Sequence, residues 1–85
     1  MTTPLTADEK LAIIRRSCPT FSLVPYEKGP DYGWAAVAML GGKPYELTEI
    51  SRKRGDMATI RNKVIAACFQ DDRIVSKQAR ESAQL

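Results

Sequence analysis

With 85 residues, 44% hydrophobic and 27% charged side chains and a net charge of +3, the chain is sized for a single soluble domain, too short for two independent cores. It holds no histidine and only two cysteines, Cys18 and Cys68, which excludes Ser-His or Cys-His catalysis within the chain and the usual zinc spacings. No apolar run reaches the length of a membrane helix and no charged-then-apolar leader opens the chain, so a cytoplasmic location is expected.

Leu5–Cys18 predicts a helix. Thr6 followed by Glu9 is a capping box, Asp8 and Glu9 favour the positive end of the helix dipole, and Arg15 and Arg16 favour the negative end. Ala7, Leu11, Ile14 and Cys18 fall on one stripe, and Pro19 stops the helix. Pro19–Glu27 then alternates Phe21, Leu23 and Pro25 against Ser22, Val24 and Tyr26, the pattern of a strand, with Pro25 assigning it to a sheet edge. The run KGPDYG, residues 28–33, is a turn by composition.

Residues 33–55, GWAAVAMLGGKPYELTEISRKRG, admit two readings. With period two they form a β-hairpin in which Gly41-Gly42 is the loop, with Trp34, Ala36, Ala38 and Leu40 on one face and Val37 and Met39 on the other. With period 3.6 they form two short helices, closed by Gly41 and Gly55. Asp56–Gln70 is the plainest helix of the chain, capped by Asp56, with Met57, Ile60, Val64, Ala67 and Cys68 on one stripe and Arg61 at its edge. Beyond Asp71-Asp72 only Ile74-Val75 offers apolar surface, so a short extended piece or helical turn and a frayed tail are expected. Residues 1–4 and 78–85 are assigned as flexible.

The hairpin reading orders the elements α-β-β-β-α, an α+β fold with both helices on one face of a three-stranded antiparallel sheet. That order, with YEKGPDYGWAAVAML at its centre, is similar to the double-stranded-RNA-binding domain over Thr6–Phe69. The resemblance implies phosphate contacts by Arg52, Lys53, Arg54, Arg61 and Lys63, with Tyr32 replacing the loop contact usually made by a histidine. On the helical reading, residues 43–77 resemble a winged helix-turn-helix, which implies a recognition helix carrying Met57, Thr59, Arg61, Asn62 and Lys63. In length and lack of catalytic motifs the chain also looks like small phage accessory proteins, including anti-CRISPR inhibitors, which cover a surface on a host complex.

Charge is unevenly spread. Residues 1–50 carry five basic and six acidic groups, and residues 51–85 carry eight and four. A cationic C-terminal half favours a polyanion or an acidic protein surface. Asp71-Asp72 reads as a solvated helix end rather than an acid/base pair, and Gly41-Gly42 lacks the GK that would make it a phosphate loop. The expectation is a non-catalytic binding protein with no cofactor or metal. Its cations would meet nucleic acid or an acidic, nucleic-acid-binding surface of a host protein complex, and a homodimer would add stability to so small a core. Cys18 and Cys68 are expected as buried free thiols, with a disulfide as the alternative.

Overall fold

The computed structural model describes residues 4–83. Helix α1 (Ala7–Ser17) is followed by strands β1 (Ser22–Lys28), β2 (Asp31–Leu40) and β3 (Lys43–Ser51). A 3-10 turn over Arg54–Asp56 then leads into helix α2 (Met57–Phe69), and helix α3 (Lys77–Ala83) follows. The strands form an antiparallel meander in the order β1-β2-β3. The hairpin reading of residues 33–50 therefore holds, and the α+β arrangement with a three-stranded sheet is the fold.

Local chemistry explains most boundaries. Thr6 Oγ1 accepts from the Glu9 N–H at 3.1 Å and Glu9 Oε1 accepts from the Thr6 N–H at 3.0 Å, so the capping box is complete. The two hairpin loops are glycine-dependent: Gly41 and Gly42 have φ of 60° and 80°, as a type I′ turn requires. At the other end of β2, Gly29 (φ 59°) precedes Pro30 in a two-residue turn, so Asp31 and Tyr32 already belong to the strand. Thr20 extends the sheet past the end of β1, since its hydroxyl accepts from the Met39 N–H at 3.1 Å and donates to the Met39 carbonyl at 3.3 Å.

Alternation along β2 places Ala36 and Ala38 in the core with Trp34 and Leu40 packed beside them, joined by Phe21, Leu23, Tyr45 and Leu47 from the flanking strands. Helix α2 lies on β2 and β3 while α1 packs against α2. Ile60, Val64, Ile65, Cys68 and Phe69 of α2 are buried together with Leu11, Ile13 and Ile14 of α1. The alanines of β2 let α2 approach the sheet closely. The result is a two-layer plate, 41 × 37 × 14 Å along its principal axes, whose core lies entirely between helices and sheet. Cys18 and Cys68 are both free and buried.

Three further details depart from the sequence reading, besides the start of β2 at Asp31 inside the expected turn. Asp56 occupies the N-cap position of α2 without making a side-chain cap bond, because its carboxylate accepts from the Ser51 hydroxyl at 3.1 Å. Ala67, expected on the buried stripe, is exposed, while Ile65 and Phe69 take up the core. The segment after Asp72 is not a tail up to residue 83: Ile74 and Val75 are buried, and α3 adds Ala79 and Ala83 to the core beside Ile13. Arg80 holds α3 in place, donating to the carbonyls of Phe69 (3.3 Å) and Val75 (2.7 Å) and pairing with Asp72. Residues 1–3, 84 and 85, for which flexibility is expected, lie outside the described residues.

Candidate binding surface at the basic end of the sheet

Two chain reversals converge at one end of the plate. The β1–β2 turn brings Glu27, Lys28 and Asp31 there, and β3 ends beside it, because Tyr32 pairs with both Glu27 and Ser51. The chain then leaves β3 through Arg52, Lys53 and Arg54. Its path is fixed by the Lys53 N–H, which donates to Ser51 Oγ at 3.0 Å, and by the Ser51–Asp56 bond. All three basic side chains are exposed, Arg52 at 85% and Arg54 at 72% of their side-chain surface.

These cations are interleaved with carboxylates from the facing hairpin. Arg52 Nε lies 3.6 Å from Asp31 Oδ1, and Arg54 Nη2 lies 3.8 Å from Glu27 Oε1. The Arg54 guanidinium also covers the ring of Tyr32, 4.8 Å from its centroid. Lys53 makes no ion pair among the described residues. Arg52, Lys53, Arg54 and Tyr32 thus form one contiguous surface at the β3–α2 connection.

Arg61 and Lys63 stand apart from it on α2. Lys63 Nζ is 3.9 Å from Glu49 Oε2 of β3. Arg61 is half-buried, bonds Asp8 at the start of α1 at 3.2 Å, and lies over the indole of Trp34, 5.9 Å from the ring centroid. It ties α1, α2 and β2 together. The nitrogen of the Trp34 indole is buried without a hydrogen-bond partner among the described residues.

Of the five basic residues singled out in the sequence, four therefore meet a carboxylate within 4 Å: Arg52, Arg54, Arg61 and Lys63. Exposed pairs of this kind contribute up to about 1 kcal/mol each, so a stronger ligand can open them. Their main effect is on the local field, which they lower. Glu27 and Asp31 were missed because the pairing that delivers them is a property of the hairpin register. Lys28 was missed for the same reason.

A second feature escaped the sequence reading. The face of the sheet turned away from the helices carries Val24, Met39 and Ile50 at 42%, 50% and 50% exposure. The signal was present, since Val24, Tyr26, Val37 and Met39 alternate with the core residues, but a face apolar on both sides of a strand reads as burial on both sides.

Elsewhere, Asp71, Arg73, Tyr45 and Cys68 are committed to the fold. Arg73 bonds Asp71 through side chain and backbone and holds its carboxyl below the usual range. Burial pushes the Cys68 thiol and the neighbouring Tyr45 hydroxyl up. Among the described residues, no group of three or more His, Cys, Asp or Glu could hold a metal ion, and no helix is long and apolar enough to cross a membrane. No protein-family model, curated protein or solved structure matches the chain.

Proposed function

We propose that the protein is a non-catalytic binding module whose working surface is the basic end of the sheet, where Arg52, Lys53 and Arg54 meet the anionic face of a protein partner. The observation that carries this is the interleaving of Arg52 and Arg54 with Asp31 and Glu27. A phosphate backbone is uniformly negative, and acids placed among the cations repel it. A protein surface with spaced carboxylates and donors matches an alternating pattern better and derives specificity from it. Tyr32, held under Arg54, supplies a rigid amphipathic anchor of the kind enriched in interfaces. A partner of this charge is the acidic or nucleic-acid-handling surface of a host complex, and blocking it would make the protein an inhibitor of the phage-accessory type.

Direct binding of nucleic acid is the second reading, favoured by the exposure of Arg52, Lys53 and Arg54 on one edge. One experiment separates the two. The protein and its Arg52→Ala/Lys53→Ala/Arg54→Ala variant are used as bait in host lysate with and without nuclease, and in parallel in gel-shift titrations with duplex RNA and DNA. The protein-partner reading expects a complex that survives nuclease and is lost in the variant. Binding to duplex alone, with a log–log salt slope of about −3 to −5 as for that many phosphate contacts, would overturn it in favour of the second reading.

A further inference from the structure

The two edges of the sheet are not alike. Met39 turns both of its backbone groups toward β1, where the Thr20 hydroxyl accepts from its N–H at 3.1 Å and donates to its carbonyl at 3.3 Å. Pro44, opposite Met39 in the register, therefore stands in a non-hydrogen-bonded pair and turns its backbone to the open side of β3. By the two-residue alternation of a strand, Glu46, Thr48 and Ile50 face the same way, each with an N–H to give and a carbonyl to accept. On β1 the same alternation turns Leu23, Pro25 and Glu27 outward, so the middle of that edge has no donor. Proline thus interrupts the edge of β1 at its centre and that of β3 only at its tip.

Among the described residues no strand pairs with the open side of β3, and a row of unpaired backbone groups is a template for another strand. We infer that this edge pairs with the same edge of a second copy of the chain, antiparallel about a two-fold axis at Thr48. The axis stands perpendicular to the sheet, so the two sheets become one and the helices of both copies share a face. In this register Thr48 lies opposite Thr48 of the other copy, and Glu46 of each copy lies opposite Ile50 of the other. Each of these pairs exchanges both backbone bonds, as hydrogen-bonded pairs of an antiparallel ladder do. Pro44 then falls opposite Arg52, one residue past Ser51 at the end of β3, where its missing N–H interrupts nothing.

Charge selects a second copy in this orientation. Glu46, whose carboxylate accepts from the Thr48 hydroxyl at 3.0 Å, comes beside the end of the other copy where Lys28, Arg52, Lys53 and Arg54 outnumber Glu27 and Asp31. Arg52 is 85% exposed even with Asp31 beside it, so its guanidinium is open to a second carboxylate. A parallel pairing would instead set like ends together. On the helix side Glu49 is already balanced by Lys63 at 3.9 Å. One turn along the same flank of α2 stands Ala67, exposed and small, which leaves room for the neighbouring helix. Lys53 and Arg54 lie beyond the paired residues, so this inference does not rest on the proposed function.

Sedimentation equilibrium of the purified full chain from about 1 to 500 µM, with amide exchange read residue by residue over the same range, tests it. The expected result is a reversible dimer in which the amides of Glu46, Thr48 and Ile50 exchange more slowly as concentration rises, while those of Leu23 and Glu27 do not change. Thr48→Lys sets like charges opposite each other on the axis at a partly exposed position. It is expected to raise the dissociation constant at least about tenfold, and Lys53→Ala to leave it unchanged. A wild-type chain that stays monomeric across the range overturns the inference. So does a dimer whose exchange slows at β1 instead of β3, or one that folded Thr48→Lys leaves intact. The exchange pattern needs no variant and decides the matter by itself if Thr48→Lys fails to fold.

Discussion

Gly33 of β2 lies so close to Glu49 of β3 that a β-carbon at position 33 would overlap the Glu49 carbonyl oxygen and crowd the α-carbon of Ile50. The obstacle is backbone, which no rotamer change removes. Gly33→Ala must therefore spread β2 from β3 at the point where the central strand meets the basic end. The expected cost is about 2 to 3 kcal/mol, or a fall in Tm of roughly 10 °C or more for a domain of this size. Thermal unfolding followed by circular dichroism reads it directly, and a Tm within a few degrees of wild type would show that the strands yield easily.

Arg61 distinguishes a residue of the fold from a residue of the binding surface. Arg61→Ala removes an ion pair to Asp8 and the cover over Trp34, each worth roughly 0.5 to 1 kcal/mol. The expected outcome in urea titration is a loss of about 1 to 2 kcal/mol, partly recovered in Arg61→Lys, with partner binding retained once the protein is folded. Loss of binding at undiminished stability would place Arg61 on the working surface.

Neutralising the interleaved acids gives opposite results for the two classes of partner. In Glu27→Gln/Asp31→Asn, Arg52 and Arg54 are released from their carboxylates. If the target is nucleic acid, affinity for duplex rises and the log–log salt slope steepens by about 2 as two further phosphates are engaged. If the target is a protein with matching charges, its affinity falls. Binding measured against salt for both ligands decides between them.

Stability at low pH should depend on Asp71. Its carboxyl is held below the ordinary value of 3.8, chiefly by the hydrogen bond from Arg73. The ionised form is favoured in the folded state, so the stabilisation is fully present above pH 3.8 and disappears as pH falls through the lower folded value. Asp71→Asn should be less stable than wild type at neutral pH and converge with it in acid. On the alkaline side, burial raises the Cys68 thiol above 9.0, so unfolding gains from thiolate formation as pH rises past 9. Cys68→Ala should flatten that limb, as read by denaturant midpoints across pH.

The α1 capping box, the turn glycines and the facing of β1 and β2 were all legible because each is a local rule with a single physical outcome. Residues 33–50 were ambiguous because Ala, Met and Leu favour helices while their spacing favours a strand. Packing settled it, since Ala36 and Ala38 fill the narrow gap between β2 and α2. Helix α3 was missed because it offers the core only Ala79 and Ala83 together with the carbonyl-capping guanidinium of Arg80, none of which carries a hydrophobic periodicity. The basic run at residues 52–54 correctly marked an exposed end of the fold. Its acidic counterparts, Glu27 and Asp31, come from another hairpin, and no spacing along the chain announces that they share it.

Among the described residues, strand β2 is the one strand hydrogen-bonded along both edges, in a plate whose shortest dimension is 14 Å. Protection from amide exchange with deuterated water should therefore collect in β2 and in the α2 turns lying over it, while β1 and β3 exchange from their open sides. Exchange measured residue by residue would draw the cooperative kernel of this domain as a narrow line through its middle, with the basic end lying at the margin of that line, where local opening is easiest and a partner meets the least resistance to adjustment.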